Sequence, residues 1–386
     1  MPCLPCLPRP HRCIAPALAL LAAVWMAGSP RAEPDAASYH LATVAEGLDH
    51  PWCLAFLPDG TMLVTERAGR LRVVRNGVLD PVPVAGVPPV YARSQGGLFD
   101  VLPHPDFATN RLIYLSFAHG TPQANSTRVI RARLDTVDGG AALTDLEVVF
   151  ETVPDKDTPV HYGGRMVFLP DRTLLVTTGD GFDYREAAQR LDNLLGKIVR
   201  INADGTVPDD NPFVDRPDAR PEIWTYGHRN PQGIVYDPVS GRVYMHEHGP
   251  RGGDELNIVV EGRNYGWPAI SYGLDYSGAV ITPYTELPGM EQPVVQWTPS
   301  IAPAGLALYA GAAFPHWTGD LFVAALADRN VHRVDLEGGA VVGQQTLFDE
   351  ANARIRDVRV GPDGYVYLLT DERDGRVLKV APGPAS

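Results

Sequence analysis

Residues 52–74 read WCLAFLPDGTMLVTERAGRLRVV: an apolar stretch, a Pro-Asp-Gly turn, an alternating strand, and a third strand entered after Gly69. Pro presets one turn dihedral and Gly supplies another, so the turn joins 52–58 to 61–66, and 70–74 continues the sheet. The same unit recurs at 97–102, 112–117 and 128–134, then at 165–169, 173–178 and 197–201. It continues at 233–236, 243–247 and 255–260, at 305–309, 320–325 and 331–336, and at 355–360, 365–370 and 376–380. Six copies of a three-to-four-strand unit predict an all-β, six-bladed β-propeller rather than a sandwich. The last copy lacks a fourth strand. Residues 40–45 alternate as if to supply it, which closes the ring with an N-terminal strand and removes an open sheet edge. One short helical signal stands at 185–195.

The chain of 386 residues is long enough for two ordinary domains. Its 38 Gly and 36 Pro are nevertheless spread along it without forming a linker, so residues 33–386 read as one domain. Residues 1–32 combine Arg9, His11 and Arg12 with an apolar run at 14–26 and small residues up to Ala32. That pattern is a secretory signal peptide, which places the mature protein in the periplasm or outside the cell without stable membrane insertion. An uncleaved anchor is the competing reading, because Pro30 and Arg31 make a poor cleavage site. Cys3, Cys6 and Cys13 fall in this leader, so only Cys53 remains and no internal disulfide forms. The formal charge is −13, and losing Arg9, Arg12 and Arg31 takes it to −13 − 3 = −16. Such a surface repels nucleic acid and anionic membrane, and an anionic ligand needs a local cluster of arginines.

The densest polar segment is 224–268, WTYGHRNPQGIVYDPVSGRVYMHEHGPRGGDELNIVVEGRNYGWP. Each Asn-Pro or Gly-Pro in it is explained by turn geometry alone. As a set, GHRNPQG, HGP, DELN and NYGWP resemble segments of the soluble quinoprotein glucose dehydrogenases and related aldose sugar dehydrogenases. The resemblance runs from about Gly47 to Val380. It implies a six-bladed propeller that oxidises the anomeric hydroxyl of an aldose sugar to a lactone. The implied cofactors are pyrroloquinoline quinone (PQQ) and calcium, with electrons leaving to an external acceptor such as a quinone, a dye or a small redox protein.

His161 precedes the third unit and Asp180 follows its second strand, so a hairpin returns both to one end. A carboxylate that orients a histidine makes a general base near neutral pH. The H-x-x-G-R…G-D pattern matches the family's catalytic segment, which makes His161 the base and Asp180 its partner; alone, a turn-capping histidine is the simpler reading. The resemblance assigns cofactor or substrate contacts to Gln95, Arg229, Asn230, Gln232, Arg354 and Arg356, with Arg229 also catalytic. A planar guanidinium suits carboxylate or quinone oxygens. The carbonyls of Gly249 and Pro250 match ligands of the active-site calcium, and Glu255 and the Tyr265 carbonyl match a second calcium site. A zinc reading of His246-Glu247-His248 lacks a third ligand. Where glucose dehydrogenases carry a lysine in the fifth unit, this chain has Ala327, and Arg329 is the expected replacement. A calcium-dependent lactonase of the gluconolactonase type and a non-catalytic binding propeller remain alternatives. The first needs acidic ligands around a central metal, and the second leaves the His161–Asp180 pairing without a role.

Overall fold

The computed structural model describes residues 39–137 and 139–383. The signal-peptide assignment and three of the four cysteines lie outside them. Six four-stranded antiparallel sheets follow one another as blades, and the six predicted units appear as the first three strands of each. Blade one is Pro51–Phe56, Met62–Glu66, Arg70–Arg75 and Val78–Leu79; blade three is Gly163–Phe168, Leu174–Thr178, Lys197–Ile201 and Ile223–Tyr226. Blade four runs Pro231–Tyr236, Val243–Glu247, Asp254–Val259 and Val295–Trp297. In blade six, Ile355–Val360, Val366–Thr370 and Gly375–Pro382 receive Tyr39–Leu48 as the fourth strand. The N-terminal strand therefore closes the ring as its alternation predicts.

The second strands of blades one, three, four, five and six are buried at every residue. Each is covered on both faces by neighbouring blades, which is why these stretches read as apolar runs without strict alternation. The predicted helix is only a five-residue 3₁₀ turn, Arg185–Gln189. The buried Lys197 ammonium donates to the carbonyls of Ala187 (2.9 Å), Ala188 (3.1 Å) and Leu195 (2.6 Å), taking acceptors that a continuing helix would use.

The first strands of successive blades touch in a closed cycle around the axis. There Arg165 reaches Asp357 (3.2 Å) and Asp100 (3.6 Å) and lies 4.0 Å over the Trp52 ring, joining blades three, six, two and one. Arg359 bonds Asp357 (2.9 Å) and Asp100 (3.4 Å), while the Cys53 thiol donates to Asp100 (2.8 Å). Burial pushes that thiol up, so Cys53 is a protonated donor rather than a reactive thiolate.

One register recurs around the ring. The outermost pair of each inner hairpin is Pro51–Glu66, Leu98–Phe117, Gly163–Thr178, Pro231–Glu247, Pro303–Ala325 and Ile355–Thr370. The residues just outside these pairs emerge at one end of the propeller.

Ring closure carries a stability prediction. A chain starting at residue 49 loses the partner of Gly375–Pro382, together with the ring contacts of Tyr39 with Phe348 (4.9 Å, edge-on) and Trp317 (6.3 Å, tilted). It should melt well below the chain starting at residue 33 and aggregate through the exposed edge, as scanning calorimetry and light scattering would show. Equal melting temperatures would mean that closure contributes nothing.

Candidate active site

Two antiparallel pairs bring the central residues together. In blade three, the Gly163–Thr178 pair sets His161 beside Asp180, with His161 Nδ1 2.7 Å from Asp180 Oδ1. The same oxygen accepts the Phe182 amide (2.8 Å), and Oδ2 accepts Trp267 Nε1 (2.7 Å). Burial opposes ionisation of Asp180, but the His161 bond and charge, with help from Arg229 and the Phe182 amide, hold its carboxyl below the usual range. An ionised carboxylate only accepts, so His161 carries its proton on Nδ1 and its lone pair on Nε2. Burial also holds the imidazolium below the usual histidine range, overriding the pull of Asp180. The His161 backbone is in the left-handed region (φ 52°), and its amide is fixed by Gln95 Oε1 at 2.8 Å.

In blade four, the Pro231–Glu247 pair places 228–230 beside 248–250. Glu247 organises the turn: its carboxylate takes His228 Nδ1 (2.9 Å), the Arg229 amide and the Asn230 amide (3.2 Å). The Arg229 guanidinium donates to the carbonyls of His248 (3.1 Å) and Gly249 (2.6 Å) and lies 5.4 Å from the Trp267 ring. Asn230 Oδ1 accepts the Gly163 amide (3.1 Å), tying blade four to blade three.

Three cavities open around these segments. The first, about 270 Å³, draws on all six blades, and its polar wall includes Arg67, Gln95, Asn230, Gln232, Arg354, Arg356 and Asp371. Asp371 takes Arg356 Nη2 at 2.7 Å and Arg354 Nε at 3.5 Å, while Arg356 Nε is buried without a partner. An orphaned guanidinium nitrogen in a polar, cationic cavity fits an anionic ligand. The second cavity, about 230 Å³, is lined by His161, Asp180 and Arg229 together with Phe182, Trp267 and Tyr276. The third is a crevice of about 20 Å³ between Arg229, Gly249, Pro250, Glu255 and Tyr265. There burial, with Glu247 nearby, pushes Glu255 up to about 8, and Asn257 Oδ1 is buried unpaired. A carboxylate so disfavoured as an anion, beside a spare amide oxygen, suits a hard cation.

All but one of the sequence-predicted site residues line these three cavities. Arg329 does not: it is exposed, and its guanidinium donates to the Asn352 carbonyl. The zinc reading fails on geometry. His246 Nε2 faces the Gly305 carbonyl (3.3 Å) and His248 Nε2 the Pro303 carbonyl (2.6 Å), and among the described residues no three-residue metal cluster forms. Sequence reasoning missed Arg67, Asp371 and Glu247. The hairpin register would have found them, since Arg67 and Asp371 stand one residue beyond an outermost pair and Glu247 belongs to one.

The glucose/sorbosone dehydrogenase family model matches residues 48–379. Aldose sugar dehydrogenase YliI of Escherichia coli (strain K12) is 43% identical, covering 96% of this chain and 98% of that protein. The crystal structure of the E. coli soluble aldose sugar dehydrogenase in its apo form superposes with TM-score 0.86 at 44% identity, over 90% of this chain and 100% of that one. The PQQ-bound aldose sugar dehydrogenase of Streptomyces coelicolor gives 0.74 at 29% identity, over 89% and 98%. This chain therefore belongs to the glucose/sorbosone dehydrogenase family.

Proposed function

We propose that the protein is a periplasmic or secreted, PQQ- and calcium-dependent dehydrogenase that oxidises the anomeric hydroxyl of aldose sugars to lactones. The observation that carries this reading is the His161 Nε2 lone pair, fixed by Asp180, beside a cationic cavity fit for an anionic cofactor. The PQQ-bound relative supports the cofactor assignment. PQQ, when bound, supplies the two-electron acceptor for the hydride leaving the sugar carbon.

His161 takes the hydroxyl proton at Nε2, and Asp180 steadies the resulting imidazolium through Nδ1. Arg354, Arg356, Asn230 and Gln232 would hold PQQ in the first cavity. Arg229, shared by the second and third cavities, would hold its positive charge beside His161 and favour negative charge developing nearby. The carbonyls of Gly249 and Pro250 would hold one calcium, and Glu255 with the Tyr265 carbonyl a second. Phe182, Trp267 and Tyr276 line the second cavity, where the sugar would sit. The external acceptor would be a quinone, a dye or a small redox protein.

Apo-protein mixed with PQQ and calcium should reduce a dye only when an aldose is present. His161→Ala should lower turnover about 10²- to 10⁴-fold while binding PQQ like the parent. Near-normal turnover in that variant removes His161 from the chemistry.

Asp180→Asn should change the pH profile in a defined direction. Asp180 raises the His161 pKa, so without its charge the acid limb of kcat/KM should move to lower pH while the plateau falls, because a weaker base remains. An unmoved limb would leave Asp180 a purely structural role.

Exhaustive chelation should abolish the activity of the reconstituted protein. Calcium should restore it and zinc should not, since the proposed ligands are all oxygen. Full activity after chelation would refute the metal assignment.

A further inference from the structure

We propose that Arg67 is the third cationic contact for the carboxylates of bound PQQ, in the role that Ala327 cannot fill. The inference rests on the PQQ reading above and concerns a residue outside the motifs that led to it.

Three arginines and one aspartate line the first cavity, a formal balance of 3 − 1 = +2. Two of the arginines are already engaged. Arg356 bonds Asp371 at 2.7 Å, and Arg354 bonds Asp371 at 3.5 Å and the Leu326 carbonyl at 3.2 Å. Arg67 is half-buried, and its guanidinium makes no hydrogen bond or close ion pair with any described residue, acting on Asp371 only through its charge at longer range. A guanidinium partly withdrawn from water without an acceptor is disfavoured, and a ligand carboxylate removes that penalty.

Register explains why Arg67 is in the cavity. It is the residue after the outermost pair of its blade, and the equivalent residues are His248 in blade four, Leu326 in blade five and Asp371 in blade six. All four line the same cavity. Their amides repeat one bond, to His50, Asn230, Ala302 and Arg354 respectively, at 3.1, 3.3, 3.0 and 2.8 Å. The stem of Arg67 is fixed as well: a Cβ on Gly97 would come within 2.5 Å of Arg67 Cγ and 2.3 Å of its carbonyl oxygen. Gly97 thus lets the loop bearing Gln95 close over this side chain. Ala327 offers no charge, and Arg329 spends its guanidinium on Asn352 outside the cavity.

The test is a PQQ titration of apo-protein at fixed calcium, read as quenching of intrinsic fluorescence, to which Trp52 in the cavity wall contributes. Arg67→Met keeps the apolar stem and deletes the charge. It should raise the Kd about 10- to 100-fold, the span of one charged hydrogen bond. The apo melting temperature should change little, because no carboxylate bonds Arg67 directly and its charge is a minor influence on Asp371, which Arg356 and Arg354 hold first. Arg329→Ala should bind like the parent. Arg67→Gln replaces the Met variant if that one melts early. A folded Arg67 variant with parental Kd overturns the proposal, as does a loss of affinity in Arg329→Ala with none in the Arg67 variant. A parent that binds no PQQ would instead overturn the functional reading, and this inference with it.

Discussion

The ring must close, and everything at the site follows from that closure. A single blade contributes only two or three residues to the first cavity, so the cavity exists only while all six inner strands stand in a cycle. Closure depends on Tyr39–Leu48 pairing with Gly375–Pro382, a contact between the two ends of the described chain. An open ring would leave Arg354, Arg356 and Asp371 of blade six apart from Arg67 of blade one. The axial cluster of Arg165, Arg359, Asp100 and Asp357 works toward the same end. Its buried charges are each satisfied by another blade, so loosening one blade strands a charge in the interior.

Within the ring, carboxylates do much of the positioning. Glu247 gathers three donors from one turn and thereby aims Arg229 and Asn230. Asp180 gathers three donors from His161, Phe182 and Trp267 and selects the tautomer of the histidine. Asp371 holds two arginines at the cavity wall. In a chain with formal charge −13, this local order gathers a small cluster of guanidinium groups against the overall field. The groups are preorganised, so little reorganisation is required when the ligand arrives.

The repeat was readable in the sequence because its period is marked by turns such as Pro-Asp-Gly, and because buried second strands such as 62–66 and 366–370 form compact apolar runs. The outer strands were harder to see. Val78–Leu79 has only two residues, and Ala340–Leu347 is largely exposed, so neither carries a strong apolar signal. The 185–195 segment has helical composition, but Lys197, distant from its start in sequence, takes its carbonyls. At the site, motifs located His161, Asp180 and Arg229, whose neighbours in sequence are distinctive. Arg67 and Asp371 were invisible to motif reasoning because each matters through its register position, and register is fixed by pairing rather than by adjacent residues. The expectation for Arg329 rests on nearness in sequence to Ala327, whereas in space its guanidinium bonds Asn352 outside the cavity.

The central claim is that this cavity holds a quinone which a sugar reduces directly, with His161 as base. The most direct measurement is the absorbance spectrum of the protein reconstituted with PQQ and calcium, recorded without oxygen or dye before and after one equivalent of an aldose. The account predicts conversion of the bound oxidised cofactor to its reduced form by the sugar alone, and none in His161→Ala on the same timescale. An unchanged spectrum with PQQ demonstrably bound would contradict it.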